Sequence, residues 1–236
     1  MERLDKIIAS QGKFSRSEVK KLVKQGRITL DGQTVKNSDV KLDPHKSVVS
    51  IDGEKLFYQK YIYIMLNKPK GVVSATTDNE HKTVIDLVPK EMHRDGLFPA
   101  GRLDGDTTGF VLITDDGDFA HKILSPKNHI MKTYHATLER ALDENEKEKF
   151  RNGIVLSDGT VCMQSRVKML SFEPAVCEIQ ICEGKYHQVK RMFAATGNKV
   201  LELKRVKMGH LPLDETLQQG QCKQLSQQEV ELIKQK

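Results

Sequence analysis

The chain has 236 residues, of which 38% are hydrophobic and 30% charged, and its formal net charge is +6. This apolar content can form a buried core, so the composition excludes a disordered chain and favours either one large domain or a small module joined to a larger one. Residues 1–60 hold thirteen Lys and Arg against eight Asp and Glu, which places five of the six net positive charges in the first quarter. Such a concentration of positive charge is typical of a module that binds a polyanion.

The cysteines and the hydropathy pattern indicate where the protein works. No Cys-x-x-Cys pair is present, which disfavours a zinc knuckle or a dithiol redox site. The first residues hold no apolar run of signal-peptide length, and nowhere do about eighteen apolar residues follow one another. We therefore expect a cytoplasmic protein without membrane contact, in which four thiols stay free: Cys162, Cys177, Cys182 and Cys222.

Two short helices and a hairpin are predicted at the start of the chain. Residues 4–8 place apolar side chains at helical spacing before Gly12. Ser15–Glu18 has the pattern of a capping box, which begins a second helix. Gly26 can close that helix. Residues 27–35 are then predicted to form a hairpin, whose two strands are joined by Asp31-Gly32, a dipeptide typical of tight hairpin turns.

Five cations lie on the second helix or just beyond its end. The run from Arg3 to Gly53 resembles the S4 domain, an RNA-binding module, and the resemblance implies that these cations contact RNA. The alternative is a solvated helix face that only keeps the module soluble. The five predicted RNA-binding residues are Arg16, Lys20, Lys21, Lys24 and Arg27.

A second domain begins where a strand-like run starts at residue 61, so we predict domains 1–59 and 60–236. Its strands follow one another without regular crossover helices, which favours an α+β fold: a small S4-like helical-hairpin module plus a larger catalytic domain with a mainly antiparallel mixed sheet flanked by helices. The predicted strands are 61–66, 110–114, 133–138, 175–182 and 200–203, and the predicted helices are 118–124, 143–152 and 187–196.

The segment Gly101–Gly109 reads Gly-Arg-Leu-Asp-Gly-Asp-Thr-Thr-Gly and has too many special residues for an ordinary strand connection. Taken alone, Asp104 and Asp106 could be turn residues or ligands of magnesium. The segment resembles the signature of the RsuA-like pseudouridine synthases, which modify ribosomal RNA. The resemblance extends over essentially the whole chain and implies that Asp104 is the catalytic residue, with Arg102 holding phosphate or the extruded nucleotide.

Two further segments are similar to motifs of the same family. Asn67–Gly71 resembles its Asn-Lys-Pro-x-Gly turn, in which Lys68 is expected to meet an RNA phosphate; the alternative is simple strand termination by proline. Lys132-Thr133-Tyr134 resembles its Lys-x-Tyr motif, which implies that Tyr134 lies against the target uracil. Without the resemblance, Tyr134 is equally well explained as a half-buried strand residue.

The last two segments supply a cation and an apolar residue. Glu183–Phe193 resembles the family's Glu-Gly-x-Tyr-His-Gln-Val motif and its basic continuation, so Lys190 is expected to pair with the aspartate. Arg191 is the neighbouring substrate-binding candidate that could exchange roles with it. His187 is interpreted as a structural residue. Leu201–Gly209 resembles the segment in which a leucine lines the uridine pocket, and Leu203 is our candidate.

Conversion of uridine to pseudouridine involves no net redox change or group transfer, so the resemblance implies neither a cofactor nor a metal. The carboxylate of Asp104 could attack C1′, add to C6 of the ring, or remove a proton at C2′. The target nucleotide is expected to be flipped out of the folded RNA. The expected partner is ribosomal RNA or a partly assembled ribosomal subunit, bound by a monomer.

Three alternatives stay open. The overall match favours a uridine in 16S ribosomal RNA, but related enzymes modify 23S ribosomal RNA. A catalytically inactive RNA-binding protein of ribosome assembly is a second alternative. A metal-dependent phosphodiesterase is the third, and it would use five aspartates: Asp104, Asp106, Asp115, Asp116 and Asp118.

Overall fold

The computed structural model describes residues 1–235, in which the chain forms two compact units. The first contains residues 1–62 and 89–97; the second contains residues 63–88 and the chain from residue 98 onward. Segment 89–97 belongs to the first unit because the buried Arg94 donates hydrogen bonds to the Gln59 carbonyl at 2.9 Å and to Gln11 Oε1 at 3.2 Å. These contacts are distant in sequence, so no local pattern predicts them.

Two helices and six short strands build the first unit. The predicted capping box is present, because the Ser15 hydroxyl accepts from the Glu18 amide while the Glu18 carboxylate accepts from the Ser15 amide at 2.7 Å. The predicted hairpin turn is formed by Asp31 and Gly32, both with positive φ. The elements are β1 (Glu2–Arg3), α1 (Leu4–Ala9), α2 (Arg16–Lys24), β2 (Ile28–Leu30), β3 (Gln33–Thr34), β4 (Lys41–Leu42), β5 (Val49–Ile51) and β6 (Glu54–Lys55).

The strands of the first unit pair in the order β3-β2-β5-β6, and β1 pairs separately with β4. Apolar side chains from both helices and from the central strands form its core, including Leu4, Ile8, Leu22, Ile28 and Val49.

The second unit is dominated by one large sheet. Its main path runs β11-β12-β10-β13-β9-β7-β15, with β14 beside β13 and β8 beside β9. The elements are β7 (Tyr63–Lys68), β8 (Phe98–Pro99), β9 (Thr108–Thr114), α3 (Gly117–Leu124), β10 (Lys132–Leu138), α4 (Glu144–Asn152), β11 (Arg166–Phe172), β12 (Ala175–Ile181), α5 (Gln188–Ala195), β13 (Val200–Met208), β14 (Leu211–Pro212), β15 (Cys222–Gln224) and α6 (Gln227–Lys234).

Every strand pair of the described chain is antiparallel except β9 with β13, which confirms the predicted α+β class with a mainly antiparallel sheet. Helices α3 and α6 cover the apolar face of β7 and β9, where Phe110, Phe119 and Ile233 are buried together. The parallel pairing places the start of β9 beside the middle of β13, with Gly109 opposite Arg205. No helix within residues 1–235 is long and apolar enough to cross a membrane.

Most predicted elements of this unit lie within two residues of those observed. Strand β13 extends to Met208, well beyond its predicted end, and five elements were not predicted, namely β8, β11, β14, β15 and α6. Strand β11 lies at the sheet edge, so its apolar residues stay half exposed and show no buried face. Helix α6 has a sequence signal, since Ser226 and Glu229 form a capping box.

Candidate active site

Asp104 lies in the loop between β8 and β9, and this loop is held from beneath by Lys68. The Lys68 side chain is fully buried, and its Nζ donates to the carbonyl oxygens of Thr107 at 2.8 Å, Asp104 at 3.0 Å and Gly105 at 3.2 Å. A phosphate contact was expected from the sequence. The structure instead commits the ammonium group to backbone carbonyls, which favours a role in fixing the loop.

The other side of the loop is fixed by Ser74. Its hydroxyl accepts from the Leu103 amide and donates to the Leu103 carbonyl, each at 3.0 Å. The Gly71 amide donates to Gly105 O at 2.8 Å. Segment 67–71 and the loop therefore form one hydrogen-bonded unit, and the position of the Asp104 backbone is determined before any substrate arrives.

Two side chains, a lysine and a histidine, flank the Asp104 carboxylate. Lys190 Nζ lies 3.4 Å from Asp104 Oδ2 and donates to Asp106 Oδ1 at 2.5 Å. His187 Nε2 lies 3.5 Å from Asp104 Oδ1. The Lys190 hydrogen bond lowers the pKa of Asp106 below its usual value. The Asp104 side chain is 26% exposed, so its oxygens are held but still reachable.

The two neighbouring cations of α5 point to different partners. Arg191 Nη2 pairs with Asp158 Oδ2 at 2.6 Å, and its Nη1 donates to the Tyr186 carbonyl at 3.3 Å. Lys190, one residue earlier, meets both loop aspartates. The expected pairing of Asp104 with Lys190 therefore agrees with the geometry, whereas Arg191 stabilises the loop that carries Asp158.

Tyr134 is buried on β10 directly opposite Arg205 of β13. Arg205 Nη1 donates to the Tyr134 hydroxyl at 3.5 Å, and the guanidinium carbon lies 6.0 Å from the centre of the tyrosine ring. Arg205 Nε donates to the Phe110 carbonyl at 2.7 Å. Arg205 on β13 thus lies between Tyr134 on β10 and β9, the strand that follows the Asp104 loop.

A cavity of about 760 Å³ joins these groups. This volume is in the range of ordinary small-molecule sites and accommodates a nucleoside. Its apolar wall contains Leu103, Tyr134, Ile181, Val189 and Leu203. Its ionisable side chains are Arg102, Asp104, Lys132, Lys185, His187, Lys190 and Arg205.

Of the sequence candidates, five line this cavity: Arg102, Asp104, Tyr134, Lys190 and Leu203. Arg102 is exposed and makes no hydrogen bond or ion pair with any residue in the described range 1–235. Three further ionisable residues line the cavity: Lys132 and Arg205, which received no role from the sequence, and His187, which was interpreted as a structural residue. All three lie inside the recognised motifs, so the signal was present, but a motif does not reveal which of its side chains converge.

The predicted RNA-binding cations all lie on the exposed surface of the first unit. Two of them are engaged there: Arg16 pairs with the buried Asp5 at 3.2 Å, and Arg27 pairs with Asp52 at 2.6 Å. Lys20, Lys21 and Lys24 form no salt bridge with the described residues. Of the five predicted cations, these three lysines are therefore the ones without a carboxylate partner among the described residues.

The aspartates of the phosphodiesterase alternative serve separate purposes. Asp116 caps α3 by accepting from the Phe119 amide at 3.0 Å and also accepts from the Tyr63 hydroxyl at 2.6 Å. Asp104 and Asp106 face Lys190. Within residues 1–235 no three His, Cys, Asp or Glu side chains form a group that could hold a metal ion.

Comparisons with known proteins identify the family. Residues 62–195 match the RNA pseudouridylate synthase family model, and residues 2–48 match the S4 domain. The chain is 42% identical over 233 residues to the uncharacterized RNA pseudouridine synthase YtzG of Bacillus subtilis, covering 98% of both chains. It is 42% identical over 229 residues to ribosomal small subunit pseudouridine synthase A of Escherichia coli, covering 97% of this chain and 98% of the relative.

A solved structure described as a pseudouridylate synthase shares the whole architecture. It has 38% sequence identity and a TM-score of 0.67, and the match covers 99% of this chain and 100% of that one. Both the family model, which spans more than half of the chain, and these near-full-length relatives lead to one conclusion. The chain belongs to the RNA pseudouridylate synthase family, and it carries an S4 domain at its N-terminal end.

Proposed function

We propose that this pseudouridine synthase isomerises a specific uridine of 16S ribosomal RNA and that Asp104 is its catalytic residue. The observation that carries the proposal is the Asp104 carboxylate in the cavity, held between Lys190 and His187 on a loop fixed by Lys68. A carboxylate can act as a nucleophile or a base, and a neighbouring lysine and histidine can orient it.

The remaining cavity residues suit a flipped uridine. Tyr134 offers an aromatic face and Leu203 an apolar one, so the uracil can be packed between them. Arg102, at the exposed rim, is the group we assign to the RNA backbone or to the extruded nucleotide. Lys190, 3.4 Å from Asp104 Oδ2, orients the Asp104 carboxylate.

The reaction itself can follow three routes from this geometry. Asp104 can attack C1′, add to C6 of the uracil, or remove the C2′ proton to give a glycal. In each route the N1–C1′ bond breaks, the uracil rotates, and a C5–C1′ bond forms. The net change is the loss of a proton from C5 and the gain of one at N1, which requires no cofactor.

The substrate assignment is supported by the relatives named small-subunit synthases, which match nearly the full length of the chain at about 40% identity. The S4 domain would supply salt-sensitive affinity for ribosomal RNA or a partly assembled subunit. We infer that the protein acts as a monomer in the cytoplasm, where such subunits are assembled.

The central test is Asp104→Asn, which keeps the shape of the side chain but removes its charge. We expect unchanged RNA binding and no pseudouridine, measured on small-subunit RNA by filter binding and by chemical mapping. Asp106→Asn is the matched control on the same loop and should retain product formation. Pseudouridine formation by Asp104→Asn would contradict the catalytic assignment.

The RNA target is tested in cells with and without the gene. Mapping of pseudouridine in both ribosomal RNAs should show one site lost from 16S RNA. Loss of a site from 23S RNA instead would assign the alternative substrate. An unchanged map would favour the inactive assembly protein.

A further inference from the structure

Two buried cations, Lys132 and Arg205, line the cavity without a carboxylate partner. Their side chains are 4% and 1% exposed. Lys132 Nζ has only long hydrogen bonds, to the carbonyls of Cys182 at 3.3 Å and Ile130 at 3.5 Å. Within the described chain, no salt bridge links either cation to an acidic residue.

Arg205 also carries an unused hydrogen-bond donor. Its Nε is engaged by the Phe110 carbonyl and its Nη1 by the Tyr134 hydroxyl, but its buried Nη2 has no partner among the described residues. Buried donors are nearly always satisfied, and an exception in a binding cavity points to a ligand acceptor.

Such an arrangement is costly in the absence of a ligand, because a buried charge without a counter-ion is poorly solvated. Burial and, secondarily, the charge of Arg205 lower the pKa of Lys132 to about 8. Both cations line the same cavity, so their fields add within it. An anion or a group that becomes negative would relieve the repulsion.

The proposed reaction produces such a group. When the N1–C1′ bond breaks, its electron pair remains with the uracil, and the negative charge spreads over N1, O2 and O4. This holds for attack at C1′ and for the glycal route, and addition at C6 also leaves negative charge on the ring carbonyls. Fixed donors aimed at developing charge are a major source of catalysis.

We propose that Lys132 and Arg205 form a cationic site that stabilises the departing uracil anion, with Nη2 of Arg205 donating to one of its carbonyl oxygens. The assignment rests on the proposed pseudouridine synthase function. Strand geometry supports it, because Lys132 and Tyr134 project from the same face of β10 and Tyr134 pairs with Arg205. The uracil that packs on Tyr134 therefore lies beside both cations.

The first experiment measures chemistry apart from binding. Lys132→Met and Arg205→Lys are compared with Lys204→Met, which removes an exposed charge from the neighbouring position of β13. Single-turnover formation of pseudouridine on a 16S transcript should fall about 100-fold in Lys132→Met. Arg205→Lys keeps the charge but loses the donor fork, so its rate should fall about 10-fold. RNA affinity should change by less than about threefold in all variants.

The second experiment separates electrostatic stabilisation from a merely structural role. A transcript containing 5-fluorouridine has a better leaving group, because fluorine withdraws electrons from the uracil anion. The rate defect of Lys132→Met, measured as consumption of 5-fluorouridine in nuclease digests, should be about tenfold smaller than its defect on uridine. A structural defect would slow both reactions equally.

The outcomes are distinguishable. Equal defects on both transcripts, or a Lys132→Met rate within about threefold of the wild type, would overturn the cationic site. If Arg205→Lys does not fold, as judged by circular dichroism, Lys132→Met alone decides. A wild-type protein that forms no pseudouridine in any ribosomal RNA would instead refute the proposed function.

Discussion

Lys190 contacts the carboxylates of both Asp104 and Asp106, and which of the two contacts is stronger bears on catalysis. Its Nζ is closer to Asp106 than to Asp104, while the exposed Asp106 side chain faces solvent. We expect a bound RNA backbone to disfavour the Asp106 contact, since phosphate and carboxylate repel each other, and thereby to direct Lys190 towards Asp104.

Replacement of Lys190 by Met should lower the single-turnover rate about 100-fold, because Asp104 loses the cation nearest to its Oδ2. Arg191→Met is the matched control, since it removes the adjacent charge of α5, whose partners are Asp158 and the Tyr186 carbonyl and not Asp104. Its rate should stay within about threefold of the wild type. Equal losses in both variants would argue against a specific Lys190–Asp104 pair.

Lys68 links loop stability to pH. Burial lowers the pKa of its ammonium group to about 8 from 10.5. A group with a depressed folded-state pKa contributes stability that is present above its unfolded pKa and lost as the pH falls through its folded pKa. The free energy of unfolding should therefore rise between pH 8 and pH 10.5 relative to a variant that lacks this group.

Lys68→Met leaves the loop carbonyls without their donor, so it should be less stable than the wild type at every pH. At neutral pH its free energy of unfolding should be lower by about 2 kcal/mol or more. The difference in the free energy of unfolding between wild type and Lys68→Met should widen as the pH rises from 8 towards 10. Urea denaturation across this pH range measures both effects, with Lys70→Met, an exposed neighbour, as control. A constant difference would contradict the depressed pKa of Lys68.

At the scale of elements, the parallel pairing of β9 with β13 brings the residues of the site together. This pairing requires a glycine at position 109. A Cβ at Gly109 would lie 2.2 Å from the Arg205 carbonyl oxygen, and its φ is +99°. Only glycine allows the two backbones to approach this closely without strain. The final glycine of the Gly101–Gly109 signature therefore serves strand packing, whereas Asp104 is the residue to which we assign the chemistry.

Gly109→Ala should lower the free energy of unfolding by about 2 kcal/mol or more, because either the strand pair or Arg205 must shift. It should also slow pseudouridine formation, since Arg205 lies beside Tyr134. Gly105→Ala is the control, because a Cβ there meets no atom within 4 Å and its φ is not positive. Similar urea midpoints for the two variants would refute the close-approach argument.

The whole molecule combines a basic module with a catalytic unit, and mutation should separate their contributions. Lys20→Ala with Lys24→Ala removes two free charges from α2, so RNA affinity should fall. The slope of log affinity against log salt concentration should become shallower by about one to two units. The single-turnover rate at saturating protein should not change. Titrations at several salt concentrations measure the slope.

A charge-matched control is available on α4. Lys147→Ala with Lys149→Ala changes the net charge by the same amount but leaves the S4 surface intact. If both double variants lowered affinity equally, the effect would reflect overall charge and not a localised RNA-binding surface.

By itself the sequence determined the family, the order of its modules and most of its helices and strands. Capping boxes at Ser15 and Asp143 and the Asp31-Gly32 turn are local signals, formed by residues within a few positions of one another, so pattern alone identifies them. The motif containing Asp104 likewise lies within nine consecutive residues.

Only the tertiary structure decided which charges face Asp104 and which serve the scaffold. Adjacent residues of a helix project about 100° apart, so the choice between Lys190 and Arg191 depends on how α5 packs on the sheet. The burial of Lys68 and the convergence of Lys132 with Arg205 depend on the pairing of strands far apart in sequence. The positions of these side chains depend on the register between strands that are distant in sequence, which no local pattern encodes.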